Sequence, residues 1–105
     1  PEAFIIVCST VAENKLVARA LGISAQSMLL RAVEMGLNGI IIGAFNKAAI
    51  TKEFGLELEP LLIIAIGKGA EEIRLKPISE GEDQKYYREE GIHYVPKLRA
   101  EELIL

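Results

Sequence analysis

A chain of 105 residues and 11.5 kDa that is half hydrophobic, with a formal charge of −3, has room for one sizeable core and is not disordered as a whole. A pI near 5.2 with no basic stripe argues against a nucleic-acid partner. The apolar content is aliphatic, with 14 Ile and 13 Leu against 3 Phe, 3 Tyr and no Trp, and so much of it in a short chain suggests surface that wants a partner. Charge is uneven. Residues 1–51 hold only Glu2, Glu13, Lys15, Arg19, Arg31, Glu34 and Lys47, which makes the first half the buried half. No uncharged apolar run reaches about 18 residues, so no membrane-spanning helix is expected. One cysteine makes no internal disulfide and suits a reducing, cytoplasmic setting.

Pro1 leads almost at once into Ala3–Cys8, a continuous β-rich run that reads as a buried strand. The run lacks a basic leader and a small-residue cleavage site, so it is not a signal peptide, and it suggests a chain entered midway. A long helix is predicted to begin between Val11 and Lys15 and to end at Met35, stopped by Gly36. Within it Leu21, Ala25, Met28, Leu29, Ala32 and Val33 recur near the helical period. Ser24, Ser27, Arg31 and Glu34 form one narrow polar stripe, so the helix is expected to be central and buried on most sides. Gly22 costs it about 1 kcal/mol relative to Ala, a cost that close approach of another backbone would justify.

Gly39–Ile42 reads as a second buried strand. Asn46 caps a short helix over Lys47–Phe54 that Gly55 closes, and Pro60 precedes a third buried strand, Leu61–Ile66. The order β-α-β-α-β implies an α/β sandwich, followed by a polar C-terminal arm over residues 80–105. In that arm Ser79–Glu90 reads as a loop, Ile92–Val95 as extended chain broken by Pro96, and Arg99–Ile104 as a short helix or an extended arm.

Few motifs carry chemistry. Gly67-Lys68-Gly69 lacks the third glycine of a dinucleotide fingerprint and reads as a turn. Cys8 reads as packing, and His93, the only histidine, cannot make a histidine metal cluster, so no metal site is expected. Tyr86, Tyr87 and Tyr94 with Lys85 and Arg88 form an aromatic–basic group that suits either a solvated loop or a stacking surface. Gly43-Ala44-Phe45-Asn46 joins a strand end to a helix start, where small residues leave backbone N–H groups open to a ligand, or simply make a turn. Lys97 and Arg99, two apart in extended chain, point to the same side, as a phosphate would require of two cations; paired solvated charges are the alternative.

Three stretches together resemble the C-terminal half of the nitroreductase family. Leu21–Ala32 is similar to its central helix, Met35–Phe45 to its strand and flavin loop, and Tyr86-Tyr87-Arg88 with His93–Lys97 to the C-terminal segment of one branch. The likeness extends over nearly all of residues 1–105. It implies a nitroreductase-like α+β sandwich in a homodimer that holds FMN at the subunit interface and has the apolar helix in the dimer core. Ile41, Ile42, Gly43 and Ala44 would run along the isoalloxazine ring, a backbone N–H of Gly43 or Ala44 would reach flavin N5, and Lys97 and Arg99 would face the phosphate. NAD(P)H would reduce the flavin, and a nitroaromatic, quinone or similar acceptor would oxidise it. No catalytic side chain is implied, because the flavin carries the chemistry. A flavin dehalogenase or dehydrogenase would share these features.

The sequence departs from the family pattern at Ala20, Asn38-Gly39 and Ile41, where Asp, Gly-Ser and Trp are frequent. The family's N-terminal half, with its own phosphate-gripping Arg and Ser, has no counterpart here, so a fragment is expected. The competing reading is a non-catalytic α/β module that dimerises through its apolar helix.

Overall fold

The computed structural model describes residues 1–105 as two compact units, Pro1–Lys68 and Gly69–Leu105. The first is built on β1 (Ala3–Ser9), α1 (Lys15–Glu34), β2 (Asn38–Ile42), α2 (Lys47–Phe54) and β3 (Glu59–Gly67). The strands form one sheet in the order β1-β3-β2, with both outer strands antiparallel to β3. β1 and β2 therefore run in the same direction on either side of β3, and α1 carries the chain from one edge to the other.

β3 is central because its sequence is the most continuously apolar. Leu61, Ile63, Ile64 and Ala65 are all buried, and Ile64 completely. Full burial of such a side chain contributes about 1.5–3 kcal/mol. Residues paired across the ladder share a face. Ile5 and Ile64 face Met28 and Ala32 of α1, whereas Phe4, Ile6 and Ile63 face Ile50 and Phe54 of α2. The two helices thus cover opposite faces of the sheet.

The helix ends follow from local sequence. Asn14 Oδ1 accepts from the N–H groups of Leu16 and Val17 at 2.9 and 3.0 Å, which satisfies two donors that the first turn leaves free. At the other end Gly36, at φ +79°, lets its own N–H reach the carbonyl of Val33 and the Leu37 N–H reach that of Ala32. This paired closure needs a left-handed residue. Asn46 and Gly55 cap α2 in the same two ways.

α1 departs from the expected burial. Ala25 and Ala32 are buried and Leu21, Met28 and Leu29 half-buried, but Leu16, Ile23, Leu30 and Val33 are each at least 60% exposed. The helix is apolar on two sides and covered on one, so it is not buried on most sides within this chain. Counting uncharged runs overlooks an 18-residue stretch of this 20-residue helix that holds no more than two charged residues and has a mean hydropathy of 1.3, enough by length and composition alone to cross a bilayer. A helix packed on a sheet has the same composition.

The second unit contains β4 (Glu72–Ile78), β5 (Tyr87–Glu89), β6 (Ile92–Leu98) and α3 (Ala100–Leu103), with sheet order β4-β6-β5. β4 runs parallel to β6 and β5 antiparallel to it. Glu90 and Gly91, both at positive φ, make the two-residue turn of the β5–β6 hairpin. Residues 80–105 thus carry a hairpin rather than a simple arm. Pro96 does not break the strand, because β5 pairs only as far as Tyr94, leaving β6 with a neighbour on one side alone at Pro96. A proline is tolerated at such a local edge.

Candidate functional site

The turn between β2 and α2 is the best-formed candidate. Ile41 and Ile42 end β2, an edge strand with β3 on one side only, and Gly43 and Ala44 follow as exposed backbone. Asn46 then starts α2, its Oδ1 accepting from Ala49 N at 3.0 Å. Lys47 Nζ lies 3.3 Å from Glu59 and 4.0 Å from Glu13, tying the helix start to β3 and to the approach to α1. The turn is therefore held at both ends, while no carbonyl or side chain of the protein accepts a hydrogen bond from the N–H of Gly43 or Ala44.

Gly43 is informative for what does not require it. A Cβ there would meet nothing nearer than Leu62 Cδ1 at 4.0 Å, and its φ is not in the left-handed region. Neither packing nor backbone conformation demands glycine, so its absent side chain leaves clearance in front of the two free N–H groups. Because Ile41 and Ile42 alternate across the sheet, they cannot both cover one face of a ring with their side chains; what they share is backbone along the edge.

Lys97 and Arg99 lie in the other compact unit. Lys97 is exposed in β6, and Arg99 follows the strand in extended conformation as the residue that opens α3. No carboxylate lies within 4.0 Å of either cation. The Arg99 guanidinium donates through Nη1 to Ser79 Oγ at 2.8 Å. Lys97 and Arg99 thus lie outside the unit that carries the Gly43 turn.

The second unit also contains a cluster that joins members of the aromatic–basic group to Glu71 and His93. Arg88 grips Glu71 with two hydrogen bonds of 3.0 Å, and His93 Nδ1 lies 3.4 Å from the same carboxylate. The Arg88 hydrogen bonds, more than any other contact, hold the Glu71 carboxyl below its usual range. Tyr86 packs edge-on against His93, while Tyr87 and Tyr94 stack with centroids 5.1 Å apart under Lys76. The aromatic–basic group is thus split, its rings packed against one another and against neighbouring side chains. Cys8 is half-buried at the end of β1 and has no partner beyond a weak contact to the Ile6 carbonyl.

A three-stranded sheet clasped by two helices, with a glycine turn opening a helix beside an edge strand, defines an α+β protein. Residues 3–68, the greater part of the chain, match the Nitroreductase family, and the protein belongs to that family, which is of the flavin oxidoreductase type. The match coincides with the first compact unit and includes the helix and turn stretches, whereas Tyr86–Arg88, His93–Lys97 and Arg99 lie outside it. No curated protein matches the chain.

Proposed function

We propose that the protein acts as an FMN-dependent NAD(P)H oxidoreductase and that the Gly43–Ala44 turn is its contact with the flavin. The observation that carries this reading is the pair of unengaged N–H groups behind a glycine that the chain itself does not need, within the segment matched to the family. FMN, when bound, supplies hydride acceptance and donation at N5. The Gly43 or Ala44 N–H then donates a hydrogen bond to N5, and Ile41 and Ile42 border the ring along the β2 edge. Lys97 and Arg99 supply positive charge for the phosphate, as cations without carboxylate partners can. NAD(P)H serves as reductant, and a nitroaromatic or quinone serves as acceptor.

A second copy of the chain is the proposed cover for the bare side of α1. Leu16, Ile23 and Leu30 recur every seven residues, the spacing of a helix–helix seam. Light scattering tests this. A dimer that Ile23→Lys converts to monomer supports it, and a monomeric wild type removes it.

The flavin reading is tested by titrating the protein with FMN and following bound-flavin absorbance and NADH or NADPH oxidation. Bound flavin that NAD(P)H reduces supports it. A folded protein that leaves FMN free at saturating concentration overturns it, and a cooperative flavin-free dimer would favour the interaction module.

A further inference from the structure

The phosphate reading of Lys97 and Arg99 raises the question of what holds a long, exposed guanidinium in place. Free arginine side chains carry much rotamer entropy, and an arginine that binds an anion with its planar fork works best when oriented beforehand. Here the register of β4 and β6 supplies the brace. Ile78 pairs with Leu98, so the next residues along, Ser79 and Arg99, lie side by side at the end of the ladder. Arg99 N donates to the Ile78 carbonyl at 3.2 Å, fixing the backbone, and Arg99 Nη1 donates to Ser79 Oγ at 2.8 Å, fixing the head group.

Ser79 is itself held. Its N–H donates to the Glu82 carboxylate, and its carbonyl accepts from Glu82 N at 3.2 Å. The serine is thus a fixed post, not a mobile loop residue. It occupies one of the five donors of the guanidinium and leaves Nε and Nη2, the edge suited to two oxygens of one phosphate. Lys97, two residues back along the strand, is on the same side of the chain. Glu101 and Glu102 follow in the first turn of α3 but neither is paired with Arg99, so the positive charge is not neutralised by a contact ion pair.

We infer that Ser79 is a positioning residue, which by accepting from Nη1 orients the free edge of Arg99 toward a phosphate monoester alongside Lys97. This rests on the proposed role of Lys97 and Arg99 in holding the FMN phosphate, and it adds a residue that the sequence reading left in a surface loop.

The test compares two flavins that differ only in the phosphate. Dissociation constants for FMN and for riboflavin are measured with the wild-type chain, Ser79→Ala, Ser79→Thr and Arg99→Ala, and the Arg99 Nε resonance is followed as inorganic phosphate is added. Ser79→Ala should weaken FMN by about threefold to tenfold, the range of one lost hydrogen bond, and leave riboflavin unchanged. Ser79→Thr, which keeps the hydroxyl, should restore FMN binding, and Arg99→Ala should weaken FMN at least as much as Ser79→Ala. A general structural defect would weaken both flavins, and it would overturn the inference. So would an unchanged FMN preference in Ser79→Ala while Arg99→Ala loses it, an outcome that leaves the phosphate reading standing. An unchanged preference in Arg99→Ala, or no flavin bound by the wild type together with no phosphate-induced shift at Arg99, removes the phosphate reading and this inference together.

Discussion

Gly39 sits where Leu29 of α1 meets the sheet, and Gly39→Ala measures how tightly that contact is made. A methyl group at this position would overlap Leu29 Cδ2 and stand 3.2 Å from the Ala65 carbonyl oxygen, with Ile66 Cγ1 at 3.7 Å. The leucine terminus can rotate away, but the carbonyl belongs to the central strand and cannot. Overpacking of this kind costs about 1–3 kcal/mol. Replacing glycine in a strand returns about 0.5–1 kcal/mol, because the unfolded chain loses freedom. The net expectation is a loss of about 0.5–2 kcal/mol in urea unfolding followed by far-UV circular dichroism. Leu29→Ala alone removes a half-buried side chain and should cost about 1–2 kcal/mol, below the range for full burial. In the double variant the shortened side chain makes room for the methyl group. The combined loss should therefore fall short of the sum by about 1 kcal/mol, a coupling that independent sites do not give. Additive losses, or a neutral Gly39→Ala, would refute the close seating of α1 on β2.

Other perturbations probe the remaining parts. Ile64→Ala empties a fully buried position on β3 and should cost about 2–5 kcal/mol in the same assay; under about 1 kcal/mol would mean that β3 is not the core. Asn46→Ala removes the acceptor for Ala49 N and should cost about 1 kcal/mol, with faster amide exchange confined to the first turn of α2. Glu71 has a folded-state pKa held below its usual 4.5, mainly by Arg88, so its stabilisation is complete above that value and is lost as the pH falls through the lower folded one. All three tyrosines lie in the second unit, so tyrosine fluorescence should report an acid-side loss of stability there that Glu71→Gln reduces; an identical acid limb in that variant would show that the pair contributes nothing.

The first unit was legible because each of its elements is announced locally. Asn14, Gly36, Asn46 and Gly55 mark helix ends through backbone hydrogen bonds that depend on neighbouring residues alone, and the apolar runs Ala3–Cys8 and Leu61–Ile66 are strands, although only the second is buried and Phe4 and Ile5 of β1 lie exposed. The second unit was not, for reasons visible in its residues. Glu72–Ile78 alternates charge with Ile73 and Leu75, the spacing of a strand, but its high charge and Pro77 leave it an unassigned part of a polar tail until its partner, β6, is known. The outward side of α1 escaped for the opposite reason. Periodicity identified the face carrying Leu21, Ala25, Met28 and Ala32, but an apolar pattern does not say which of two apolar sides the chain covers, and Val33 proved to lie on the bare one.

The candidate site presents a different difficulty, since its chemistry belongs mostly to the backbone. A catalytic dyad is visible as residue types, but a pair of unengaged N–H groups is visible only when every acceptor around them has been placed. Gly43 reads in sequence as a small residue between a strand and a helix, equally consistent with an ordinary turn. The structure adds that the turn is pinned by Asn46 and Lys47, that its edge strand is paired on one side only, and that a side chain at Gly43 would have fitted without strain. The last point carries most weight. Where a glycine is demanded by a positive φ, as at Gly36 and Gly55, its presence says nothing of ligands. Where neither backbone nor packing demands it, as at Gly43, space is left beside the turn, and the match of residues 3–68 to the family supports the proposal that a flavin takes it. Gly43→Ala is accordingly expected to be nearly neutral for folding while weakening flavin binding, the reverse of Gly39→Ala.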